Sequence, residues 1–124
     1  MTAGDIYSIA GDGSAGFSGD GGPAAAAGLT PDAVAIDRAG NLVISDDGNN
    51  RVRVVAENTG SYYGRPMTAG DIYTVVGDGT DGYSGDGGPA TAAAVGASDG
   101  VAVSPGGSLL IAEHDSDRIQ AVAG

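Results

Sequence analysis

Apolar residues alternate with polar or small ones in eight short stretches of this chain, a period of two that marks half-buried β-strands. DIYSIA at 5–10, DAVAID at 32–37, NLVISD at 41–46 and NRVRVVA at 50–56 form one set. DIYTVV at 71–76, DGVAVS at 99–104, SLLIAE at 108–113 and DRIQAVA at 117–123 form a second. RAGN and PGGS separate the middle strands of each set and have the composition of tight turns. DDGNN and HDSD separate the last two. Between 11 and 31 runs a long Gly-rich crossover whose Ala cluster is expected to form a turn of helix.

The two sets are copies. The segment from Met1 to Ala24 recurs from Met67 to Ala90, differing at Ser8/Thr74, Ile9/Val75, Ala10/Val76, Ser14/Thr80, Ala15/Asp81 and Phe17/Tyr83. After one inserted residue, the stretch from Asp32 continues the match from Asp99. Repetition at such a period predicts an array of supersecondary units. Labelling the strands after each crossover a, b and c, and the DIY strand d, gives a four-stranded antiparallel meander over residues 31–77, the size of a propeller blade.

DAVAIDRAGNLVISDDGNNRVRVV resembles an NHL repeat, and GDGSAGFSGDGGPA is similar to an insertion common in bacterial NHL proteins. The likeness spans nearly the whole chain and weakens in the second copy, where Asp117 stands at the place of Asn50. It implies an all-β fold of propeller blades, usually six to a ring, working most often as a binding surface. The lyases among NHL relatives depend on several His ligands, whereas this chain has one His.

The phase of the strands then matters. A d strand at 5–10 precedes one full blade at 31–77, and an a-b-c set at 98–123 follows it. Two blades cannot close a ring, and an a-b-c sheet without its d has an open edge. The expectation is head-to-tail strand exchange into a closed six-bladed homotrimer, with an eight-bladed homotetramer as the alternative. A fragment of a longer propeller has the same strand phase. Met1 falls in step with the repeat residue Met67, which suits either a minimal gene unit or a cut at a repeat boundary.

Composition narrows the chemistry. Gly makes up 24 of 124 residues, which disfavours long helices. There is no Cys, so disulfides and thiolate chemistry are excluded. Sixteen acidic residues against five Arg give a net charge of -11, unsuited to nucleic acid or an anionic membrane surface. No run of apolar residues is long enough for a transmembrane helix, and the first residues lack the pattern of a signal peptide. A soluble protein is expected; no compartment is indicated.

Candidate binding residues lie in the crossovers, which antiparallel order gathers on one face with the b–c turns: Asp12, Phe17 and Asp20, and their counterparts Asp78, Tyr83 and Asp86. Calcium favours clustered oxygens, but the spacing matches no EF-hand or β-roll. Asp20 and Asp86 are therefore expected to bond loop amides, and Phe17 and Tyr83 to pin the loop. Arg51 and Arg118 are expected to be structural, bonding a carboxylate such as Asp46 or Glu113 or loop carbonyls. His114 is alone and supports no triad. No metal, cofactor or catalysis is expected. The function expected is a self-assembling scaffold or binding platform; the alternative is a multivalent glycan- or peptide-binding propeller using the acidic loop face.

Overall fold

A computed structural model describes residues 1–96 and 98–124. Among these the chain is all-β, with short antiparallel sheets, three single-turn 3-10 segments and no α-helix. Among the described residues no helix is long and apolar enough to cross a membrane.

The four-stranded sheet of the expected first blade consists of β1 (Ala33–Ile36), β2 (Leu42–Asp46) and β3 (Arg51–Val55), with β6 (Ile72–Val76) beside β3. Its β1–β2 turn is closed by Asp37, whose Oδ1 accepts the amides of Ala39 and Asn41, while Gly40 takes a φ of 85°. Between β3 and β6 the chain makes a hairpin, β4 (Gly60–Tyr62) and β5 (Arg65–Met67). Its two-residue turn needs positive φ at both positions, 52° at Tyr63 and 77° at Gly64. Tyr63 is a costly residue for that conformation, and its hydroxyl is anchored by donating to Asp37 Oδ2 at 2.8 Å. Burial, then the neighbouring Asp37, raises the pKa of this phenol.

The second crossover carries a further short pair, β7 (Tyr83–Ser84) with β8 (Ala94–Val95). The Ala clusters expected to turn do so, at Ala24–Ala26 and Ala90–Ala92. The second sheet has β9 (Ser98–Val103), β10 (Leu109–Glu113) and β11 (Arg118–Val122), in the order β11-β10-β9. Residues 5–10, identical in pattern to β6, form no strand; Ile6 is 98% exposed.

The core lies between the two sheets. One face of the first blade (Val43, Val52, Val54, Tyr73, Val75) packs on Leu109 and Ile111 of the second, flanked by Val101, Val103 and Val122. Ser45 on β2 hydrogen-bonds Ser98 on β9, tying the two sheets together. A smaller cluster of Ala24, Ala27, Ile44 and Ile72 fills the space between the first crossover and the opposite face of the first blade.

Candidate functional site

The repeat gives two versions of one site, a crossover folded over the last strand of a blade. In the first unit this site is complete. Gly21 donates to the carbonyl of Ile72, Ile72 donates to that of Gly22, and Ala24 donates to that of Gly70, so β6 is held by the crossover on one side and β3 on the other. Ile72 is fully buried, among Ala24, Ala27 and Ile44 with Ala10, Leu29 and Val55 at the margin.

Asp20 joins the three elements. Its Oδ1 takes the guanidinium of Arg53 (Nη2 at 2.9 Å), and its Oδ2 accepts both the amide and the hydroxyl of Thr74. Arg53 is wholly buried and also donates to the carbonyls of Gly28 and Ser18 and to Asp46 Oδ2 at 3.3 Å. Asp46 is equally buried and accepts the Thr30 amide and the Asn49 side chain. Phe17 lies between Arg51, 3.8 Å from its ring centre, and Arg53 at 4.8 Å. One buried guanidinium therefore bridges the buried Asp46 carboxylate and the partly exposed Asp20 carboxylate, an arrangement that depends on every donor being used.

The sequence missed Arg53. Alternation with Val52 and Val54 marks it as an outward residue of a half-buried strand. The first crossover, however, lies over the part of that face that Arg53 occupies. Arg51 and Arg118, expected to be structural, donate to loop carbonyls, those of Asp78 and Ser116. The guanidinium that meets Asp46 belongs to Arg53.

In the second unit the same site is open. Counterpart positions place Asp86 where Asp20 is, Tyr83 for Phe17, Gln120 for Arg53, Glu113 for Asp46 and Arg118 for Arg51. Arg118 stacks on Tyr83 at 3.7 Å, as Arg51 does on Phe17. Asp86 Oδ1 accepts from Gln120 at 2.7 Å, but its Oδ2 takes the Tyr83 hydroxyl in place of a strand. Among the described residues no strand pairs with the outer edge of β11. The counterparts of the residues around Ile72 line instead a cavity of about 210 Å³: Val76, Ala90, Ala93, Val95, Ile111 and Val122.

The other expected site residues serve their own loops. Asp12 accepts the amide and hydroxyl of Ser14, and Asp78 accepts the amide of Thr80; these bonds hold both carboxyls below the usual range. His114 is exposed, with Nδ1 3.8 Å from Asp99. Asp47 has its pKa raised by burial and then by Asp32, with Asp99 and Asp115 adding to the effect. Among the described residues no three His, Asp or Glu side chains are placed to hold a metal ion.

Replacing Arg53 by Gln120 leaves a charge defect. Glu113 is 2% exposed, and burial raises its pKa; the Gly96 amide, the Ser116 hydroxyl and Arg118 pull it down, and the charge of Asp86 pushes it up. A carboxyl raised in the fold binds its proton more tightly there than in the unfolded chain. This group therefore costs stability above its raised pKa, and the cost is relieved as pH falls through that value. Gln120→Arg is expected to raise stability at pH 7 by about 1–2 kcal/mol. It should also flatten the gain seen on mild acidification. Urea unfolding from pH 7 to pH 5 checks this; matching pH profiles for the two proteins would contradict it.

No protein-family model and no curated protein matches this chain.

Proposed function

We propose that this polypeptide is a non-catalytic scaffold module that closes, three copies together, into a six-bladed propeller of the NHL type. One observation carries the proposal. The joint between the two sheets is already built inside the chain, and both of its surfaces recur uncovered at the ends.

Val101 and Val103 of β9 pack against the first blade, but their counterparts Val34 and Ile36 on β1 are 63% and 62% exposed. Val52 and Val54 of β3 are fully buried against the second sheet, but their counterparts Ile119 and Ala121 on β11 are exposed, Ile119 at 72%. The bare face of the second sheet is thus a copy of one that binds the kind of face Val34 and Ile36 present. Contacts repeated head to tail with a fixed rotation close into a ring. Exposed β-branched residues on an open sheet invite such pairing.

Catalysis has no part in the proposal, since the polar side chains of the crossovers hold loops and strands. The ring supplies repeated acidic loops on one face, the kind of surface on which binding partners are presented.

Light scattering on the 124-residue chain tests the proposal. Three chains of 11.9 kDa are expected to give about 36 kDa. A mass near that of one chain would overturn self-assembly, and four chains would replace six blades by eight.

A further inference from the structure

We infer that the groove between β11 and the second crossover is a receptor for an extended peptide. Its occupant is the 5–10 ribbon of a second copy, with Ile6 as the plug and Ser8 as the hydroxyl that Asp86 recognises. This deepens the ring proposal by naming the chemistry of its joint.

The first unit supplies the template, because β6 occupies the equivalent groove and differs little from the ribbon. Ile72 fills the pocket formed there by Ala24, Ala27 and Ile44. The pocket of Ala90, Ala93 and Ile111 has the same shape-determining residues, and Ile6 corresponds to Ile72. The register of β3 on β6 pairs Arg53 with Thr74, Val54 with Tyr73 and Val55 with Ile72. Transferred to β11, it sets Gln120 opposite Ser8, Ala121 opposite Tyr7 and Val122 opposite Ile6. The crossover then offers the Gly87 amide and the Gly88 carbonyl to the backbone of Ile6, as Gly21 and Gly22 serve Ile72. Strand addition of this kind takes its affinity from main-chain bonds and its selectivity from pockets for alternate side chains.

Asp86 adds a chemical requirement. Asp20 spends one oxygen on the amide and hydroxyl of Thr74. Ser8 presents the same pair of donors to Asp86. The competitor is internal, for the Tyr83 hydroxyl occupies the oxygen that Ser8 needs. Phe17, in the filled site, has no such hydroxyl.

The ribbon is also partly set in its bound shape. Before β6, the Asp71 amide donates to the Thr68 carbonyl and the Thr68 amide to the Tyr73 hydroxyl at 2.8 Å. Before the ribbon, the Asp5 amide donates to the Thr2 carbonyl and the Thr2 amide to the Tyr7 hydroxyl at 3.0 Å. Gly4 and Gly70 have matching φ, 89° and 85°. A turn formed in advance lowers the ordering cost of docking.

The test uses the full chain with its own ribbon disabled by Ile6→Asp, a change at an exposed position. The probe is a fluorescent peptide of residues 1–11, and anisotropy is the readout. Saturable binding is expected, lost when the peptide itself carries Ile6→Asp. Asp86→Asn in the receptor, or Ser8→Val in the peptide, should weaken binding roughly tenfold. Tyr83→Phe should tighten it several-fold. No saturable binding, or binding indifferent to these changes, overturns the receptor. If the unaltered chain is monomeric yet the groove binds the peptide, the ring falls and the receptor stands. If the chain forms the ring but the groove ignores the peptide, the receptor falls and the blade faces alone hold the ring.

Discussion

Arg53→Met is expected to cost about 3–5 kcal/mol of folding stability, because it leaves the buried Asp46 carboxylate without its cation. The loss reaches further than one ion pair. Arg53 also holds the carbonyls of Ser18 and Gly28, so the first crossover loses its attachment to β3 while Asp20 loses the charge it balances. Arg51→Met removes a guanidinium that stacks on the same Phe17 but bonds only an exposed loop carbonyl, and should cost about 0.5–1 kcal/mol. Urea denaturation of both variants separates the two roles. Equal losses would show that Arg53 has no special part in the lock.

The second large effect concerns assembly. Ile119→Asp sets a carboxylate on the bare face of the second sheet, where the repeat places Val52 in the first. In a single chain the side chain is 72% exposed, so folding stability should change by no more than about 0.5 kcal/mol. At a closed joint the same change loses the burial of an Ile and strands a charge, a penalty of about 3 kcal/mol or more at each joint. Three joints share it, so the expected product is a folded monomer at concentrations where the unaltered chain is a ring. An Ile119→Asp protein that keeps the mass of the parent would place the joint elsewhere.

Much of this architecture is legible in the residues. Period-two alternation locates all seven paired long strands within a residue or two, since each blade strand is short and bounded by turn-forming residues. The repeat is what exposes the unpaired state of residues 5–10 and of the outer edge of β11, because closely similar sequences sit in different environments. Other features are hidden by the same alternation. Arg53 reads as a solvent-facing residue, and only the crossover lying over that face buries it as completely as Asp46. The hairpin of β4 and β5 is masked by Tyr63, a residue seldom found at positive φ; Gly64 beside it was the available signal. The expected binding residues divide between the two crossovers, three to each. Asp20 is committed to holding β6 and Phe17 stacks on Arg51 and Arg53, and only Asp86 has an oxygen to exchange for an incoming strand.

In the proposed ring, the joint between chains is looser than the one within a chain. Asp20 and Asp46 share a guanidinium, whereas Asp86 and Glu113 flank the neutral Gln120. With a net charge of -11 on each copy, a joint without its Arg opposes close approach, and docking must draw on apolar contact and main-chain bonds.

Isotope-filtered NMR on an equal mixture of labelled and unlabelled chains addresses the exchange of the ribbon most directly. Nuclear Overhauser contacts are expected between the Ile6 methyl groups of one copy and the Ala90, Ala93 and Ile111 methyl groups of another. Ile6 methyl groups that touch these residues only within their own chain, or touch none of them, would contradict the account.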